Sequence, residues 1–116
     1  MNYREEKLSL LKTMIEGIEN VNLYIDAIAN KFYEGDEKSA CEGLTFVAEE
    51  LQWIFKGLGI ISDIVNTDEI NTSISEQLVA VVEGMENEDY ILVGDIFNYE
   101  IKPLLEELIE NLRENI

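Results

Sequence analysis

The chain has 116 residues, 47% of them apolar and 28% charged, which suits one folded domain over residues 1–116 and leaves no room for separate catalytic and regulatory cores. Histidine is absent, so imidazole acid/base catalysis, histidine metal sites and histidine-based pH sensing are excluded. Eight Lys+Arg against 25 Asp+Glu give a formal charge of −17, which repels nucleic acid and anionic lipid headgroups.

The first residues, Met1-Asn2-Tyr3-Arg4-Glu5-Glu6-Lys7, do not form the basic and apolar regions of a secretion signal, and no apolar run is long enough to span a membrane. One cysteine, Cys41, allows no internal disulfide and no zinc-type spacing. These features lead to the expectation of a cytoplasmic protein with no cofactor and no metal site.

Leu8, Leu11, Ile15, Ile18, Ile25, Ala29 and Phe32, with Asn22 in the one gap, step by three and four and predict a first helix over about residues 4–33. Met14, Val21 and Ile28 lie beside this row and widen the buried stripe. Asn22 reads as an amide that fixes register on the seam. Gly35 suits the left-handed end of that helix and Asp36 the cap of the next.

The second predicted helix, 37–64, has its seam at Ala40, Leu44, Val47, Leu51, Ile54, Leu58, Ile61 and Val65. A second strip, Phe46, Trp53 and Ile60, recurs at intervals of seven, with Gly43 and Gly57 on the same strip and Glu49, Glu50 and Lys56 at its edge. This second helix either is central enough to bury both strips or carries a partly exposed aromatic ridge. The ridge reading makes Phe46, Trp53, Ile60, Glu49 and Lys56 the candidate partner-binding residues, because aromatic side chains inside a charged rim dominate protein contacts. Cys41 reads as a packed small residue, since Asp36, Glu37 and Glu42 leave a thiolate little support.

The polar stretch 66–72 reads as the longest connection, after which Ser73 and Glu76 have capping-box spacing. A third, short helix then carries Ile74, Leu78, Val81, Val82 and Met85. Residues 87–89 form a turn whose Asp89 caps a fourth helix with Val93, Phe97, Ile101, Leu104, Leu108 and Leu112. Pro103 lies inside that helix and predicts a bend over 99–103, where its missing N–H and its ring disturb the bond to the Tyr99 carbonyl.

The halves align at an offset of 53 residues, pairing Val21 with Ile74, Phe32 with Met85, Asp36 with Asp89 and Glu42 with Asp95. A duplicated helical hairpin would give this pattern; helical periodicity alone gives part of it, so the acid-for-acid pairs carry the information. The fold expected is all-α, an antiparallel four-helix bundle built from two helical hairpins.

Carboxylates are the plentiful reactive groups, so the fitting enzyme would be a magnesium-dependent all-α nucleotide pyrophosphohydrolase. That chemistry needs Glu-x-x-Glu and Glu-x-x-Asp on inward faces. Glu16/Glu19 and Glu86/Asp89 have those spacings but lie far apart in the chain, the second pair in a predicted turn. Ferritin-like di-iron sites fail for want of histidine, and there is no calcium loop or glycine-rich phosphate loop.

Asp89-Tyr90, Asp95 and the run Tyr99-Glu100-Ile101-Lys102-Pro103-Leu104-Leu105-Glu106 resemble the C-terminal part of a family of small, acidic, all-helical proteins of Gram-positive Firmicutes with no assigned function. Gly94 and Asn98 depart from its bulkier or charged positions. The likeness covers residues 89–107 directly and the remainder in pattern. Secretion proteins with a Trp-x-Gly turn are similar in size, but Trp53 is followed by Ile54-Phe55. The resulting expectation is a non-enzymatic interaction module, an adaptor or small chaperone-like bundle, with a protein partner or a second copy as its ligand and neither nucleic acid nor membrane.

Overall fold

The first helix, α1 (Tyr3–Glu34), starts at a reciprocal cap. The Glu5 N–H donates to Asn2 Oδ1 at 2.9 Å, and the Asn2 N–H donates to Glu5 Oε2 at 3.3 Å. The computed structural model describes residues 2–116, and every regular element among them is helical. At its far end α1 closes with Gly35 at φ 79°, while the Gly35 and Asp36 N–H groups donate to the Phe32 and Lys31 carbonyls. Only a residue tolerating the left-handed region closes a helix this way without strain.

Asp36 then accepts from the Ser39 N–H at 3.3 Å and opens α2 (Glu37–Ile60). Hydrogen bonding to Ser39, through its side chain first and its backbone N–H second, holds the Asp36 carboxyl below its usual range. The helix stops earlier than the expected 64. Gly57 and Gly59 weaken its last turn, and Asp63 is held by Lys7 Nζ at 2.6 Å, so 61–64 form a turn that still buries Ile61 and leads to the buried Val65.

The third helix, α3 (Asp68–Glu86), begins before the expected Ser73 cap, which does not form. Ile70 and Ile74, four apart and both buried, carry the apolar face one turn further back, and Asp68 and Glu69 suit the positive end of the helix. Residues 66–72 are therefore mostly helix, with Asn66 Oδ1 accepting from the Asp68 N–H at 2.9 Å.

The final segment runs through α4 (Tyr90–Ile96), a π turn over Phe97–Ile101, and α5 (Lys102–Arg113). The irregularity expected near Pro103 takes the form of this widened turn, in which the Lys102 N–H donates to the Phe97 carbonyl five residues back. Val93, Phe97, Ile101 and Leu105 are all fully buried. Three successive steps of four drift by about 120° in a regular α-helix, and a π turn absorbs the drift. The seam consequently passes through Leu105, while Leu104, the residue expected there, is only partly buried.

The two hairpins pack as a four-helix bundle, 49 × 22 × 19 Å. α1 packs against α2 on one side and against α4 and α5 on another, and α4 and α5 in turn pack against α3. Leu11, Met14, Ile18, Ile25 and Phe32 of α1 meet Val47, Leu51 and Ile54 of α2 and Phe97, Ile101 and Leu105 beyond, all out of water. Each such side chain contributes about 1.5–3 kcal/mol of transfer free energy. Contact between α2 and α3 is slight. Three sides of the bundle's square are closed and the fourth is open.

Candidate partner-binding groove

The open side is an apolar groove of about 610 Å³. Leu44, Ala48, Leu51 and Phe55 form its wall on α2, and Leu78, Val81, Val82 and Met85 its wall on α3. Leu51 and Val81 are buried at the base; Leu44, Phe55, Leu78 and Met85 are half-buried; Val82 is 55% exposed. Leu78, Val82 and Met85 were expected in the core and instead line this groove, because α2 does not close over them. The charged side chains lining it are Glu49 and Glu86.

Of the five residues expected to bind a partner, Glu49 lines the groove. Phe46, Trp53 and Ile60 occupy the next face of α2, where they are 42%, 45% and 55% exposed. That ridge is partly held by α1. The Phe46 ring lies 4.6 Å from that of Tyr24, and Trp53 packs beside Gly17, whose added Cβ would lie 3.3 Å from the indole. Lys56 is exposed near the end of α2.

Gly43 and Gly57 do not belong to the ridge. Both are buried toward α1, where an added Cβ would approach Ile28 Cγ1 to 2.8 Å and Met14 Sδ to 2.7 Å, so they permit the close α1–α2 approach. A two-residue periodicity count cannot tell a glycine beside a ridge from one under a neighbouring helix. The signal that could have revealed the groove is the surplus apolar width of α2 and α3 together: two seams wider than one neighbour each can cover.

Four of the eight cations are held in ion pairs within the chain. Lys7, with its side chain nearly buried, bonds Asp63 and lies 4.2 Å over the Tyr3 ring. The hydrogen bond to Asp63 holds the ammonium above its usual pKa and the Asp63 carboxyl below its own. Lys102 reaches Asp26 at 2.7 Å, Arg113 pairs with Glu19, and Lys31 lies within 4 Å of Glu34 and Asp36. Tyr33 donates to Asp95 at 2.6 Å, and burial followed by that carboxylate pushes its pKa up to about 12.

The acids weighed for metal chemistry have other surroundings. Glu16, Glu83 and Glu86 are exposed, Glu19 is paired with Arg113, and Asp89 accepts from the Leu92 N–H at 3.3 Å as the cap of α4. Among the described residues no three of Cys, Asp and Glu group as metal ligands would. No helix among them is long and apolar enough to cross a membrane. Asn22, expected on the seam, is half-buried beside Leu23, Asp26 and Lys102, and its Oδ1 is buried without a hydrogen-bond partner among the described residues.

No curated protein and no solved structure matches the chain. Residues 4–111, covering all the helices up to the last turn of α5, match the family described as a domain of unknown function, DUF8042, and the chain belongs to that family.

Proposed function

We propose that the protein is a non-enzymatic interaction module, an adaptor or small chaperone-like bundle of the cytoplasm, that receives a protein segment in the groove between α2 and α3. One observation carries this reading: the fourth side of the bundle is apolar and uncovered. Leu44, Phe55, Leu78, Val82 and Met85 leave apolar surface in water that a partner would bury at about 25 cal/mol per Å². A photo-crosslinking residue at Gln52, on the groove, is expected to capture a protein in cells, while the same residue at Glu110, exposed on α5, does not. Equal labelling at both positions would remove the groove from the function.

The half-exposed ridge of Phe46, Trp53 and Ile60, with Lys56 beside it, is a second contact face in this reading. Trp53→Glu should leave the helices folded and lower either hydrodynamic mass or partner capture; unfolding would make Trp53 a core residue. A magnesium-dependent nucleotide hydrolase is the competing function, and the arrangement of its acids favours it less: Glu19 and Asp89 are engaged in an ion pair and a helix cap.

A further inference from the structure

We propose that the occupant of the groove is a cationic amphipathic helix of another protein, about three turns long, its apolar row on the groove floor and its lysines or arginines over the acidic rims; this rests on the interaction-module reading. The length follows from the walls. Leu44 to Phe55 along α2 and Leu78 to Met85 along α3 span about 16 Å and about 11 Å at 1.5 Å per residue; the longer wall accommodates about three turns, and an apolar row at i, i+4 and i+7 matches the shorter. An added helix would lie against both walls, since α2 and α3 are the two corners that flank the open side of the square.

The sign of the partner's charge follows from the rims. Glu49 and Glu86 line the groove, and no lysine or arginine occurs between Lys56 and Lys102, a stretch that contains all of α3 and ten carboxylates. A cationic polar face would be steered toward this side and an anionic one turned away. A second copy fits poorly. It brings another −17, and among the described residues four of the eight cations are already held in ion pairs within the chain.

The test uses two fluorescently labelled model peptides with the same leucine row at i, i+4 and i+7, one with lysine and one with glutamate on the polar face. Binding to the full chain is read by anisotropy at low and high sodium chloride. The lysine peptide should bind at least tenfold more tightly than the glutamate peptide, and raising the salt should weaken it. Glu49→Gln with Glu86→Gln should weaken it about three- to tenfold at low salt. Val82→Asp is the decisive variant, because it adds negative charge while spoiling the apolar wall on α3: a loss of at least tenfold supports groove binding. Undiminished binding would reduce the attraction to general polyelectrolyte pairing and overturn the site. Ala48→Asp, also on the groove, gives the same reading should Val82→Asp alter the circular dichroism. Equal binding of the two peptides would overturn the charge assignment. Binding of neither overturns the proposal, and sedimentation then separates the causes: a dimer dissociated by Val82→Asp assigns the groove to a second copy. A monomer that still crosslinks through Gln52 keeps the module and loses only this occupant, and one that does not loses both.

Discussion

Glu88 holds the left-handed backbone at φ 55°, in a turn whose counterpart uses Gly35 at φ 79°. A side chain in that region costs about 1 kcal/mol, partly offset when glycine replaces it by the greater freedom glycine gives the unfolded chain. Glu88→Gly is therefore expected to stabilise by about 0.5 kcal/mol, and by slightly more at low salt, where removing a carboxylate beside Asp89 also relieves repulsion. Urea unfolding with an unchanged slope checks it, and destabilisation would mean that the Glu88 side chain makes a contact of its own. Tyr33 sets a limit at the other end of the pH scale. Its folded pKa, about 12, lies above the ordinary value of 10, so its contribution is intact below pH 10 and is lost as pH rises toward 12. Tyr33→Phe should flatten that alkaline limb of the melting temperature and lower its value modestly near pH 7, where the hydrogen bond to Asp95 is lost, and an unaltered limb would place the alkaline sensitivity elsewhere.

The two hairpin turns repeat each other bond for bond. Gly35 and Asp36 donate to Phe32 and Lys31, and Glu88 and Asp89 donate to Met85 and Gly84, every position shifted by 53. The offset was legible in the sequence from Asp36 and Asp89, and both are helix caps. Steps of three and four likewise located α1 and most of α2, because burial selects those positions on a straight helix. The start of α3 was not legible, since Asn71, Thr72 and Ser73 resemble a connection locally and Ile70 with Ile74 override that tendency only through tertiary burial. Nor was the groove, because exposure of Leu78 and Val82 depends on where α2 lies and not on the spacing within α3. At the π turn the spacing 93, 97, 101, 105 is visible in the sequence, but a proline in the same segment predicts a bend, and spacing alone does not distinguish a bend from a change of phase. Intrinsic propensity alone would let Pro103→Ala gain up to ~3 kcal/mol. The buried row at Val93, Phe97, Ile101 and Leu105 requires the wide turn with or without proline, so the change expected is under about 1 kcal/mol. Retention of the turn by amide exchange or crystallography, together with the melting curve, checks this; a regular helix through 97–105 would make the proline its cause.

At the scale of the whole molecule, an open side and a large negative charge act on the same surface. A bundle with an uncovered apolar groove faces association with its own kind, and a charge of −17 opposes that association while admitting partners of the opposite sign. The same charge taxes the fold, because repulsion among carboxylates is greater in the compact state than in the extended chain. How cations relieve the repulsion distinguishes interaction from catalysis. Diffuse screening depends on ionic strength alone, so magnesium chloride at millimolar level should raise the melting temperature no more than sodium chloride at matched ionic strength. A built magnesium site would give a saturable rise specific to magnesium or manganese. The first outcome is expected, because Glu16, Glu83 and Glu86 extend into solvent and Glu19 is occupied by Arg113, which leaves no converging set for a divalent ion to bind among the described residues. Melting curves in magnesium, manganese and matched sodium chloride, run beside a nucleoside-triphosphate hydrolysis assay, decide between the two: a saturable, metal-specific shift accompanied by turnover would replace the proposed interaction module with an enzyme built on the carboxylates.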